Sequence, residues 1–214
     1  MTIQAEKEAA ARAAAALVQD GMRVGLGTGS TVAPMLPALA ERGLTLRCVA
    51  TSVATDVRAR ELGLSVEPFE ALDALDIAID GADQVAPDGW LVKGGGGAHT
   101  REKIVAAAAA RFVIIASSDK VVDALHPPVP LELLAFGLPT TLRALGDARL
   151  RPDTPPSPDG NVIADLFEPF DDPAALAAQL DAIPGVVGHG LFAPALVTDV
   201  LIARGTEVEH RRIV

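Results

Sequence analysis

A chain of 214 residues, half of them hydrophobic, has room for one large domain or one domain carrying a smaller one, with a sizeable core. Aromatic residues make up only 3%, so that core must be built from Ala, Val, Leu and Ile. A formal net charge of −10 argues against nucleic acid as a partner, since phosphates call for a basic face.

The single Cys48 excludes an intramolecular disulfide and suits a reducing compartment; within the apolar run 46–50 it is expected to be a buried, inert thiol. No apolar run approaches the roughly 20 residues of a membrane span, and no basic-then-apolar leader opens the chain. The expectation is a cytoplasmic protein with no membrane partner. The histidines (His99, His126, His189, His210) are scattered without HxxxH spacing, and there is no CxxC, so no metal site is expected.

In chain order, residues 4–19 are Ala-rich and helical by propensity. A strand is expected at 23–26, a helix at 32–42, a strand at 44–50, a helix at 55–62 and a strand at 65–68. Strands at 76–80 and 90–92, a helix at 101–110 and an apolar strand at 112–116 follow. This alternation predicts an α/β fold, with fully apolar strands that a parallel sheet buries on both faces. The pattern changes near His126-Pro127-Pro128. Strand 129–135, helix 139–145, strand 148–151, strand 161–166, helix 173–182 and strand 186–191 give the order βαββαβ. We therefore expect a catalytic α/β domain over 1–127 and 195–214, a Rossmann-like open parallel sheet with helices on both faces. A small α+β, ferredoxin-like domain is inserted at 128–194.

Four loops behind strands carry the chemistry, and in a parallel sheet they converge on one edge. Gly25-Leu-Gly-Thr-Gly-Ser-Thr31 offers backbone N–H groups and the hydroxyls of Thr28, Ser30 and Thr31 as an anion cradle. It fails the dinucleotide fingerprint, because Ser30 stands where the third glycine belongs and no acidic residue ends the next strand; it is not a P-loop either. A monophosphate site fits, and so does a simple capped turn. The loop 50–55 repeats the hydroxyl pattern weakly, and a helix N-cap explains it equally well. Asp80-Gly81-Ala82-Asp83 places two carboxylates at a strand end, either as a turn or as a site. Last comes Lys93 with Gly94, Gly95, Gly96 and Gly97, then Ala98-His99-Thr100-Arg101-Glu102. The glycines admit a ligand to the backbone. Glu102 falls in a first helical turn, where acidic residues also suit the dipole. Either Glu102 or, second to it, His99 has the chemistry of a general base.

Of the 18 basic residues 14 are arginine, so the four lysines stand out. Lysine is a compact charge whose pKa moves, whereas arginine is a wide fixed fork. Lys7, Lys93 and Lys120 are candidates on that ground; Lys103 reads as a solvated helix residue.

Together GLGTGST (25–31), DGAD (80–83), KGGGGA…REK (93–103), SDK (118–120), DGN (159–161) and IPGVVGHGLF (183–192) resemble ribose-5-phosphate isomerase of type A, over nearly the whole chain. The resemblance implies interconversion of D-ribose 5-phosphate and D-ribulose 5-phosphate in the pentose phosphate pathway, through a cis-enediolate and without cofactor or metal. It implies Glu102 as the base and Lys93 as the cation beside the oxyanion. Asp80 and Asp83 would handle ring opening and the hydroxyls. Residues Thr28, Gly29, Ser30, Thr31, Gly81, Ala82 and Gly94–Gly96 would line the substrate site, with Lys7 and Lys120 near the phosphate. It also implies a homodimer or homotetramer, for which we expect the small domain to supply part of the interface. One departure is Gln84, where the family usually has Glu; the lost charge is expected to shift the pH optimum. The competing readings are a sugar-phosphate sensor module and a CoA-transferase-like enzyme of the same fold. The acidic charge opposes the first, and the joint presence of Glu102, Lys93, Asp80 and Asp83 opposes both.

Overall fold

A computed structural model describes residues 2–213. In chain order its elements are α1 (Ile3–Ala15), β1 (Arg23–Leu26), α2 (Met35–Ala40), β2 (Arg47–Ala50), α3 (Val53–Glu61), β3 (Ile77–Gly81), β4 (Gln84–Val85), β5 (Leu91–Val92), α4 (His99–Ala108) and β6 (Phe112–Ser117). There follow β7 (Val129–Leu133), α5 (Leu138–Leu145), β8 (Ala148–Leu150), β9 (Val162–Leu166), α6 (Pro173–Asp181), β10 (Val186–His189), β11 (Leu191–Phe192), β12 (Asp199–Arg204) and β13 (Glu207–Arg212).

The main sheet runs β13-β12-β6-β3-β1-β2, parallel except for the antiparallel edge strand β13. Side chains alternate across a strand, and β6 uses both faces. Val113 and Ile115 join the core under α1 and α2, with Ala10, Ala14 and Leu39. Phe112, Ile114 and Ala116 join the opposite core, with Val105 and Ala106 of α4. The small alanines of α1 let that helix lie close to the sheet. From β1 the chain turns to β2 on one side, while β3 lies on the other, so the sheet's switch point falls between β1 and β3. Ligands of open α/β sheets collect at that crevice.

A second, antiparallel sheet runs β10-β7-β9-β8 and carries α5 and α6. Its βαββαβ order and strand arrangement are ferredoxin-like, and it encloses its own core of Val129, Leu131, Leu133, Ala164 and Leu180. A third, small sheet, β11-β5-β4, joins the exit of this unit to the main one.

Several sequence expectations need correction. The strand at 65–68 is absent: Val66 makes one isolated bridge to Cys48, and Pro68, which has no N–H, cannot extend a ladder. The helix expected at 32–42 contracts to α2, preceded by turns. The strand at 186–191 divides at Gly190, whose N–H donates to the Pro130 carbonyl (2.7 Å) and whose carbonyl accepts from Lys93 N–H (2.8 Å). Cys48 is fully buried, and burial pushes its thiol up to about 12, where it is inert. Among the described residues, no helix is long and apolar enough to cross a membrane.

Candidate active site

Loops after β1, β3, β5 and β6 meet over the β1/β3 crevice. Asp80, the last core-facing residue of β3, turns its Oδ1 under the first loop. There it accepts the N–H groups of Thr28 (3.0 Å) and Gly81 (2.7 Å). Gly27 makes this approach possible, because a Cβ there would run into the Asp80 carboxylate. Lys93 enters at the end of β5 with its side chain 3% exposed. Its Nζ lies 3.0 Å from Asp80 Oδ2 and 3.1 Å from Glu102 Oε2, and it also donates to the Gly81 carbonyl. Neither carboxylate oxygen facing Lys93 has an aligned hydrogen bond, so these contacts are ion pairs by distance, with free acceptor capacity.

Burial governs the electrostatics. It pushes Glu102 up, and the neighbouring Asp80 charge pushes further, to about 8, against the pull of Lys93. Burial also raises Asp80, opposed by Lys93 and by its two backbone donors. Against its own burial, Lys93 is raised by the charges of Asp80 and Glu102 and stays an ammonium. Asp80 has the better hydrogen-bond set, so Glu102 is the carboxyl that holds a proton more readily.

The cleft above this cluster, about 90 Å³, is lined by Thr28, Gly29, Ser30, Thr31, Gly81, Ala82, Asp83, Lys93, Gly94, Gly95, Gly96, Glu102 and Lys120. Of the residues that the resemblance assigns to the site, all but two line it. Asp80 lies beneath the floor, and Lys7 stands at the rim, where its Nζ donates to Ser30 Oγ (2.8 Å). Asp83 Oδ2 accepts Gly95 N–H (2.8 Å), fixing the glycine loop across the cleft. A larger cavity of about 560 Å³ lies beyond the outer face of α4; there Arg101 pairs with Asp159 and Arg60 with Asp56, while Glu132 accepts from Ser157 and Asn161. Among the described residues, no group of three or more His, Cys, Asp or Glu is placed to hold a metal ion.

His99 does not reach the cleft as a base. It is fully buried, and burial takes it down to about 4. Gln84 does not face the carboxylates either. Its amide donates to the His126 carbonyl (2.8 Å) and accepts His126 N–H (2.9 Å). Lys103 is partly buried rather than a free surface residue, held against His189 and Phe192.

Sequence reasoning missed Arg151, which reaches over from the second unit. It donates to the carbonyls of Gly94 (3.1 Å) and Gly95 (2.9 Å) while Asp165 holds its guanidinium. It also underrated Thr51 and Thr55. Thr51 Oγ1 lies 2.8 Å from Thr28 Oγ1, and Thr55 Oγ1 donates to the Gly27 carbonyl (2.9 Å). No local pattern marks Arg151, which is 57 residues from Gly94; the repeated hydroxyls of 51–55 did mark the threonines.

A buried ammonium between two carboxylates, under a cleft of hydroxyls and glycine amides, defines an α/β enzyme that moves protons on a small anionic substrate. The model of the family described as ribose 5-phosphate isomerase A (phosphoriboisomerase A) matches residues 47–207. A ribose-5-phosphate isomerase A from Caulobacter vibrioides is 43% identical over 207 residues, 90% of this chain and 91% of that protein. The ribose 5-phosphate isomerase A structure from Neisseria gonorrhoeae superposes with TM-score 0.94 at 30% identity, covering 100% of this chain and 98% of the other. A D-ribose-5-phosphate isomerase structure in complex with phospho-erythronic acid does so with TM-score 0.93 at 34% identity, covering 99% and 100%. The chain belongs to the ribose 5-phosphate isomerase A family, and is an isomerase.

Proposed function

We propose that this chain interconverts D-ribose 5-phosphate and D-ribulose 5-phosphate, in the non-oxidative branch of the pentose phosphate pathway, by proton transfer through a cis-enediolate. The observation that carries the reading is Lys93 Nζ, buried 3.0 and 3.1 Å from Asp80 and Glu102 at the floor of a polar cleft. A sugar C–H is a very weak acid, so a carboxylate alone cannot remove its proton. A fixed cation that meets the charge as it develops supplies the larger share.

In this reading Glu102 takes the proton from C2 of the open-chain aldose and returns it to C1. The hydroxyl proton on O2 passes to O1, so aldose becomes ketose with no net change in atoms. Lys93 stabilises the enediolate oxygens. Asp83 handles ring opening and holds hydroxyls, with Asp80 acting from beneath the floor through Lys93, and Thr28–Thr31 with Gly81, Ala82 and Gly94–Gly96 surround the sugar. Lys7 and Lys120 flank the phosphate. The phospho-erythronic acid bound by a relative couples a phosphate to a carboxylate, the charge pattern of a phosphorylated enediolate. The reading needs no cofactor.

Residues 128–194 form the inserted domain in this proposal. The chain acts in the cytoplasm as a homodimer or homotetramer, to which the exposed Phe136 and Leu134 beside β7 would contribute; sedimentation of a monomer alone would remove the assembly.

The test is conversion of ribose 5-phosphate to ribulose 5-phosphate by the purified chain without added metal. The chain should turn over, and Glu102→Gln should lose about 10²–10⁴-fold in kcat. An inactive wild type sinks the function; full rate in Glu102→Gln sinks the base.

A further inference from the structure

Lys103 is the neighbour of Glu102 on α4, yet the proton transfers proposed for the cleft make no use of it. Successive helical residues point about 100° apart, so Glu102 faces the cleft while Lys103 faces the junction of β10 and β11. Its Nζ donates to the His189 carbonyl (2.8 Å) and lies 3.4 Å from His189 Nδ1. It also sits 5.1 Å from the centre of the Phe192 ring. Lys93 Nζ lies 5.4 Å from the centre of that same ring, which is fully buried. Two ammonium groups thus share one aromatic ring, an attraction that strengthens when the cation is desolvated.

The segment Lys103 grips is the one that carries Lys93. Gly190 accepts the Lys93 N–H, and Leu191 and Phe192 pair with Val92 and Leu91 just before it. We propose that Lys103 is a positioning residue for the isomerisation: by pinning His189 and Phe192 to α4, its ammonium holds Glu102 and Lys93 at one fixed separation. This deepens the isomerase reading and rests on it.

The site suits lysine rather than arginine, because a compact ammonium fits between a carbonyl, a ring nitrogen and a ring face. His189 is held as its neutral Nε2–H form. Nδ1 accepts Leu191 N–H (3.2 Å), Nε2 faces Asp181 Oδ1 (3.2 Å), and burial takes the imidazole down to about 4. The titratable groups around Lys103 are therefore His99 and Glu102 on its own helix, His189 on β10, Asp181 on α6 and Lys93 across the ring. Burial lowers Lys103 to about 8, and Asp181 alone opposes that shift. The ammonium is lost as pH rises through that value, and the grip on Phe192 with it.

Three proteins test this, each assayed for kcat, KM, pH profile and melting temperature. In Lys103→Met, kcat should fall about tenfold or more while KM stays within about twofold, since misplacement of reacting groups reduces turnover steeply. The alkaline fall in rate expected of the wild type, as its Lys103 ammonium is lost, should be absent from it. Asp181→Asn, changed at a side chain 70% exposed, should move that alkaline fall to lower pH. A Lys103→Met protein with wild-type kcat and alkaline limb overturns the inference, as does an Asp181→Asn limb that does not move. If Lys103→Met fails to fold, the Asp181→Asn limb decides. An inactive wild type would instead bring down the isomerase reading and this inference with it.

Discussion

At the scale of single residues, Glu102 is an acid made into a base by its surroundings. Its value of about 8 follows from burial and the Asp80 charge, with Lys93 holding it from rising further. A base works only when ionised, so kcat/KM of the free protein should climb with pH through about 8 and fall away below it. A profile already flat at neutral pH would contradict that electrostatic picture. The same shift has a sign for stability. The folded state keeps a proton that the unfolded chain releases near 4.5, so this contribution is full below that pH and is lost as pH rises through about 8. Residue types were legible in the sequence, as Lys93, Glu102, Asp80 and Asp83 all stand at one site. Their protonation was not, because desolvation and a neighbour 3 Å away are properties of packing.

At the scale of elements, loops behind parallel strands do the positioning. Gly27 ends β1 against the Asp80 carboxylate. Gly27→Ala should therefore displace Asp80, lower stability by about 1–3 kcal/mol and reduce kcat; unchanged melting and turnover would show that the loop yields freely. Gly94 adds a second constraint: its φ is +107° and a Cβ would meet His99 Nδ1 at 2.7 Å. The α/β alternation and the βαββαβ order could be read from apolar runs and turn residues. The short β5 was anticipated at 90–92, but the two-residue strands β4 and β11 were not, because so short a strand has no period and exists only through its partner. The absent strand at 65–68 is the converse, a short extended stretch that makes only the single bridge from Val66 to Cys48.

At the scale of the whole molecule, two side-chain ties stand out around the cleft. One is Arg151, clasping the carbonyls of Gly94 and Gly95. The other is Gln84, paired in both directions with the His126 backbone just ahead of the second unit. This relocates the expected effect of the departure at 84 from electrostatics to architecture. A carboxylate cannot donate, so Gln84→Glu should leave the His126 carbonyl facing an acceptor and lower stability by about 1–3 kcal/mol. Melting with and without the substitution measures this, and an unaltered melting temperature would refute it. The sequence by itself determined which side chains could do chemistry and which strands would be buried, because residue type and local period are carried along the chain. The tertiary structure alone decided that Gln84 faces His126, that His99 is buried away from the cleft, and that Lys103 is gripped by His189 and Phe192. Each of those outcomes depends on contacts between residues far apart in sequence, whose desolvation and alignment exist only once the sheets have closed.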